Sequence, residues 1–414
     1  MVVRRIVCAL TVAGASGAAG AGIVFTPHLS EYSALPRGQY TEFTYINTAI
    51  DETFNRSGDK QPLGFGAVPP GESIEASLFL LKYLWIGNPF RDTELPYLKN
   101  HDLLFRAIGT VGDQQATGEL NDLSRRFGLR SGGSGFGDLF LLGGIYGPSW
   151  RLGAMHLNTL FALTYKLPVG DYENDRLLNP GTNYDAVIPQ FAFHQNWYGR
   201  LFVDGTLAYQ KNGRNDDPGF GGLVPSHAAD LYNAEINFAW KFSEKWFADL
   251  GVSHRSTRGE GNEFANPSLN IVDQPVEPTQ LCDQLNLGAL GLGDLTGGLL
   301  PNCPGRLFFI RPRPGVYEDG GIRATLATAG FYYVYRSSAV LNFRIAYPVS
   351  GKGSQFDLPY DVTLGLPTGP GGSFEPSGIP VSSTVVRVNG VQEAAAVSAS
   401  PYLELRFVYL FWAP

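Results

Sequence analysis

The chain is short of several things. Three cysteines, two methionines and six histidines are all that 414 residues contain. Charged residues make up 17% of it, where an ordinary soluble domain carries roughly 25%. No apolar run reaches the about 20 residues of a transmembrane helix, and a mean hydropathy of −0.06 does not suit a helical membrane protein. No Lys-Ser/Thr follows the Gly-rich stretch GLGDLTGG at 291–298, so it is not a P-loop. A net charge of −7 argues against nucleic acid as a partner, because phosphate contacts need clustered Lys and Arg. What the chain does have is 51 Gly, 27 Phe and 20 Tyr. The glycines follow no three-residue period, which excludes collagen, and the aromatics exclude a disordered chain. These features together point to a large β-rich object with many turns.

Residues 1–21, MVVRRIVCALTVAGASGAAGA, have the form of a secretory signal peptide. Arg4 and Arg5 are the basic part, Ile6 to Ala13 the apolar part, and Ala19-Gly20-Ala21 the small residues at the cleavage site. Cys8 has no lipobox before it, so a lipoprotein is not expected. Cleavage removes two basic residues and no acidic ones, which moves the net charge from −7 to −9. Cys282 and Cys303 then remain, flanking LNLGALGLGDLTGGLLPN. In an exported protein this pair reads as a disulfide stapling one loop. Two thiols with no nearby His make a poor metal site.

Beyond residue 38 the dominant signal is a two-residue alternation. In LYNAEINFAWK at 231–241, Tyr232, Ala234, Ile236, Phe238 and Trp240 take one parity and Asn233, Glu235, Asn237 and Lys241 the other. Similar runs occur at 155–167, 201–210, 340–347 and 403–411. A soluble sandwich also alternates, but its strands are usually about 5–6 residues long. Runs twice that length match a strand crossing a bilayer at a tilt. Charged groups in the strand centres suit a wet interior and not a dry core between sheets.

Twelve strands follow: 39–48, 73–84, 101–110, 135–146, 153–167, 184–195, 199–211, 229–241, 246–256, 321–334, 339–348 and 401–411. Short connections follow the fourth, sixth, eighth and tenth strands, and long ones follow every odd-numbered strand. Only 85–100, after the second strand, departs from that rule. The pattern predicts an all-β, antiparallel up-and-down barrel in a Gram-negative outer membrane, with periplasmic short turns and termini. Residues 22–38 would precede it as a possible plug, and 257–320 and 349–400 would be long extracellular loops. Trp85, Trp150, Trp197, Trp240, Trp246 and Trp412 all fall at the short-turn end, where an interfacial belt would place them. The last strand ends on Leu403, Leu405, Phe407, Tyr409 and Phe411 at spacing two. Outer-membrane lipid and the barrel assembly machinery, reading that strand, are therefore expected partners.

Gly135-Phe136-Gly137-Asp138 opens the fourth strand, and YKLPVGDY at 165–172 closes the fifth. On these motifs the chain resembles the meta-pathway phenol-degradation family of outer-membrane barrels, over most of residues 39–411. The resemblance implies a channel for uptake of small hydrophobic or aromatic compounds. No cofactor is expected. Trp412-Ala413-Pro414 overrun the usual aromatic end of such barrels.

The polar parity supplies candidates for lumen-lining residues: Glu42, Arg106, Asp138, His156, Asn158, Lys166, His194, Asp204, Glu235, Asn237, Lys241, Asp249, Arg255, Arg323, Arg344, Glu404 and Arg406. They would select solutes, or form internal salt bridges that stiffen a narrow barrel. Both signs of charge occur, so no ion preference follows from the count. Phe331, Tyr333 and Tyr335 share the parity of Arg323 and would form an inward aromatic track. His254-x-Ser256 is similar to the His-x-Ser of outer-membrane phospholipases, but Thr257 stands where those enzymes have Asn and no orienting group can be assigned. An adhesion or structural barrel is the third alternative.

Overall fold

The computed structural model describes residues 35–54, 57–62, 73–94, 99–118, 121, 130–173, 176, 178–216, 226–227, 230–258, 307–312, 323–336, 339–352, 354–365, 384–394 and 397–412. The signal segment, residues 22–34 of the expected plug, and Cys282 and Cys303 lie outside the described residues.

Twelve strands form the wall: β1 (Gly38–Ile50), β2 (Ile74–Gly87), β3 (Leu103–Ala116), β4 (Leu139–Tyr146), β5 (Met155–Leu167), β6 (Ala186–Trp197), β7 (Leu201–Asn212), β8 (Asp230–Lys241), β9 (Trp246–Arg258), β10 (Arg323–Arg336), β11 (Ala339–Lys352) and β12 (Tyr402–Trp412). Each pairs antiparallel with the next, and β12 pairs with β1, so the sheet closes. All but β4 run 11–14 residues, longer than the roughly 9–11 a tilted strand needs to span lipid. Closure has a physical cause. An open edge in hydrocarbon would leave backbone groups unpaired at several kcal/mol each.

The two faces differ as the alternation requires. On β1, Glu42, Thr44 and Ile46 are buried while Phe43 is 53% exposed. On β9, Asp249 and Ser253 are buried while Leu250 is 65% exposed. The apolar outer set includes Leu81, Tyr83, Phe161, Leu163, Phe238, Phe343 and Leu405. That side faces lipid, so its apolar area needs no protein core to cover it.

The tryptophans lie at one end. Trp85 and Trp412 both pair with Gln39, Trp197 and Trp240 both pair with Leu201, and Trp246 pairs with Tyr333. Trp150, in a short strand over Trp150–Leu152, pairs with Leu157 of β5. The turn between β6 and β7 is Trp197-Tyr198-Gly199-Arg200, with φ of 55° at Tyr198 and 69° at Gly199. Two successive positive φ values match the twist of the flanking strands. A Cβ on Gly199 would meet nothing within 4 Å. Gly199→Ala therefore tests backbone strain alone and is expected to cost about 1 kcal/mol in a urea titration of the folded barrel. An unchanged midpoint would contradict the left-handed turn.

Three expectations need correction. Segment 349–400 is not simply a loop. β11 extends to Lys352, and Ser354–Gly365 pairs with both Thr384–Ala394 and Leu307–Pro312 in a separate three-stranded sheet. On β10, the even-numbered residues point inward: Leu326 and Thr328 are buried, while Phe331 and Tyr335 are 56% and 58% exposed. Arg323 pairs with Ser256 at the long-loop end and is exposed on the outer side. It can stay hydrated there, at the end of the spanning strand. The inward aromatic track and the lumen role of Arg323 are both removed.

Candidate functional site

The barrel interior is the candidate site, and it has two unlike walls. On β1 to β6 it is largely apolar, in two clusters. One contains Tyr40, Leu84, Ile86, Leu104, Leu142, Leu160 and Ala192, toward the short-turn end, with Leu35 packed against it. The other contains Ile46, Leu78, Leu80, Ile108, Phe140 and Ile188, toward the long loops. On β7 to β11 the buried interior residues are mostly polar: Asp204, Gln210, Asn233, Glu235, Asn237, Asp249, Ser253, Asn342 and Arg344.

Charged side chains separate the two apolar clusters. Lys82 Nζ donates to Glu42 Oε1 at 2.5 Å. Arg406 Nη1 stands 3.8 Å from that same oxygen, across the β12–β1 seam. Thr44 Oγ1 donates to it at 3.1 Å. Arg106 lies on the next strand within electrostatic range of Lys82. Glu42, Arg106 and Arg406 are each at most 1% exposed.

Further round the wall, Arg344 donates from Nε and Nη2 to Asp249 Oδ2 at 3.1 and 2.9 Å, and from Nη2 to the Tyr332 hydroxyl at 2.9 Å. His194 Nδ1 and Asp204 Oδ1 are 2.6 Å apart. Asn237 Nδ2 donates to Glu235 Oε1 at 2.6 Å. Charges out of water require such partners.

At the long-loop end, the two short sequence motifs meet. A bulge between β4 and the preceding strand Gly133–Phe136 sets Gly137–Asp138 out of the ladder: Ile108 pairs with Phe140, but Val111 pairs with Phe136. The bulge reverses parity, turning Phe136 outward and Asp138 inward. Asp138 then accepts from the Gly170 and Thr182 amides at 3.3 and 3.1 Å and from Thr182 Oγ1 at 2.6 Å. Lys166 Nζ is 3.7 Å from Asp138 and 3.5 Å from the centroid of the Tyr184 ring. Burial pushes the Tyr184 phenol up. Asp171 closes the clasp, accepting from the Phe136 amide at 2.7 Å and donating its own amide to the Phe136 carbonyl at 2.7 Å. The glycines are steric requirements here. A Cβ on Gly170 would stand 2.7 Å from the Gly137 carbonyl carbon.

Of the residues singled out in the sequence, Glu42, Arg106, Asp138, Lys166, His194, Asp204, Glu235, Asn237, Asp249, Arg344, Glu404 and Arg406 are buried on the inner face. Arg255 is half-buried on the same parity of β9. His156, Asn158 and Lys241 sit at the short-turn rim instead of deep inside. There, Asn158 accepts from Ser149 and Lys241 donates to Glu244 at 2.9 Å. Glu244 is a turn carboxyl held below its usual range by the Lys241 ammonium. His254 points outward, with Nδ1 2.9 Å from Thr325 Oγ1 and not bonded to Ser256. Lys82 was missed. Its signal was a lone charge within the apolar strand SLFLLKYLWIG. Among the described residues, no group of three or more His, Cys, Asp or Glu side chains is placed to hold a metal.

A closed antiparallel barrel with an apolar exterior and a charged interior is an outer-membrane β-barrel by fold. The sequence matches the family described as "Putative MetA-pathway of phenol degradation" over residues 55–268, a little more than half of the chain. The chain belongs to that family. Both motifs of the clasp lie inside the matched region, and β10 to β12 lie beyond it.

No curated protein matches the chain. Among solved structures, an outer-membrane channel from Pseudomonas putida F1 is similar at a TM-score of 0.55 and 16% identity, covering 92% of this chain and 98% of that one. The translocator domain of the autotransporter NalP from Neisseria meningitidis gives 0.39 and 9%, covering 96% and 97%. A FadL homologue from Pseudomonas aeruginosa gives 0.36 and 9%, covering 92% of each chain. At these identities the likeness is one of fold.

Proposed function

We propose that the protein is an outer-membrane channel for passive uptake of small hydrophobic or aromatic compounds. The observation that carries this reading is the two clusters of buried apolar side chains on the inside of the barrel. A lumen for water and ions alone is polar throughout. Here two apolar clusters line half of the wall, where they can take the non-polar body of a solute, and polar groups on the other half can keep its remaining face hydrated. Membership of a family named for phenol degradation agrees with that solute class.

In this reading the short-turn end, with its tryptophans and both ends of the barrel, faces the periplasm. The clasp formed by Asp138 and Asp171 lies at the outer mouth. Passage is by diffusion, and the buried side chains between the clusters must rotate to admit a solute. The chain acts as a transporter, not as an enzyme.

The test is uptake into proteoliposomes. Radiolabelled benzamide is expected to enter several-fold faster than into protein-free vesicles, whose leak is subtracted. Equal rates would refute the channel.

A further inference from the structure

The outer face of β9 to β11 turns polar at one height near the long loops. On β9, Trp246 and Ser256 stand ten residues apart, opposite Tyr333 and Arg323 of β10. At a rise of about 3.3 Å per residue and a tilt of about 40°, that separation is about 25 Å along the membrane normal. The lipid-facing apolar band of such barrels has the same height. With Trp246 in one interfacial belt, Arg323 therefore stands at the opposite lipid surface. Arg323 pairs directly with Lys352 of β11, so both occupy the outer face. Like charges opposite each other on adjacent strands repel. Among the described residues, neither is bonded to an acidic side chain. Segment 51–59 packs beside them, with Gly58 close to the Gly351 carbonyl. Its acids Asp51, Glu52 and Asp59 have partners of their own. Elsewhere on the barrel the same height is acidic. Ten residues from Trp85 on β2 is the exposed Glu75, with the exposed Asp113 nearby on β3.

We infer that Arg323 and Lys352 form a binding site for a phosphate of bisphosphorylated lipid A, the glycolipid of the outer leaflet. The inference rests on the channel reading in one respect, that the long-loop end faces outward. One phosphate offsets the repulsion between the two cations and accepts charge-assisted hydrogen bonds from both. His254 and Ser256 of β9 and Ser350 of β11 share this face and offer further polar partners. The His-x-Ser spacing thus has a role at a lipid head group without any catalytic one. The acyl chains lie along Leu250, Val252, Tyr347 and Val349, exposed on the same strands. Glu75 and Asp113 repel the same lipid, which confines it to the side of β9 to β11.

The full-length barrel, purified free of lipid, is titrated with lipid A bisphosphate in native mass spectrometry. Its affinity is expected to be severalfold higher than for lipid A lacking the 1-phosphate, and severalfold higher than for dimyristoyl phosphatidylglycerol. Arg323→Gln/Lys352→Gln lowers it about tenfold, through lost hydrogen bonds to a charged group. Glu75→Gln/Asp113→Asn shifts the net charge equally in the opposite direction and leaves the affinity unchanged. Resistance of each barrel to unfolding in cold SDS confirms that it has folded. A double cation variant that binds lipid A as the parent does would overturn the site. Phosphatidylglycerol bound as tightly as lipid A would overturn the choice of glycolipid. Benzamide uptake is measured on the same preparations. If lipid A fails any of these comparisons while benzamide enters, this inference falls and the channel reading stands. If lipid A binds as expected but benzamide does not enter, the channel reading falls alone.

Discussion

Arg344→Met is expected to destabilise the barrel by about 3–5 kcal/mol, because it leaves Asp249 ionised, buried and without its guanidinium. Both side chains are 1% exposed, and two N–H groups of Arg344 converge on one carboxylate oxygen. The pair spans β9 to β11, and the hydroxyl oxygen of the inward Tyr332 on β10 accepts from the same guanidinium. Its loss therefore unties three strands. The double variant Arg344→Met/Asp249→Asn removes the stranded charge and should recover most of the loss, leaving a deficit of about 1–2 kcal/mol from the remaining hydrogen bonds. Urea titration of vesicle-embedded protein, followed by tryptophan fluorescence, reads all three barrels. Losses that simply add in the double variant would show that the two side chains do not act as a buried pair.

Asp138→Ala should open the clasp at the long-loop end while leaving the wall intact. The carboxylate accepts two backbone amides and a hydroxyl from the 168–185 connection. Hydrogen bonds to a charged group are worth about 1.5–3 kcal/mol each, so losing three would exceed what a short connection can compensate. The stranded Lys166 ammonium adds to the cost. Limited proteolysis is the suitable probe, because the effect is local. Cleavage within 168–185 should accelerate at least tenfold, with the barrel still folded in cold SDS. A connection that stays protected would mean that the Asp171 pair holds it alone.

Much of the wall was legible in the sequence because lipid on one side and polar groups on the other impose a two-residue period. Most of the strands could be placed from that period, and the short turns gave their pairing order. The interior was legible only where it is polar. On β2 the inward residues are Ile74, Ala76, Leu78, Leu80, Lys82, Leu84 and Ile86. With outward residues that are also apolar, no alternation survives, and Lys82 stayed hidden. On β10 the one charge available to set the parity was Arg323. It lies at the strand end, where an outward Arg is tolerated, so it inverted the assignment of Phe331 and Tyr335. The Asp138 clasp could not be derived either. Its geometry depends on a bulge that reverses parity, and Gly137-Asp138 carries no period of its own.

The seam between β1 and β12 has a consequence for assembly. It joins the two ends of the wall, with partners such as Thr48 and Pro401 lying 353 residues apart. Every hairpin between them can form first, so this contact has the largest loop to close. Until it does, the growing sheet has two free edges, and each carries a charge on its inner side: Glu42 on one, Arg406 and Glu404 on the other. Charged groups pointing inward on an edge strand discourage pairing with another molecule's edge. The charged residues on the inner wall of the finished barrel thus also guard the unfinished one against joining a wrong partner. They become buried only when the correct edge arrives and brings Arg406 to Glu42.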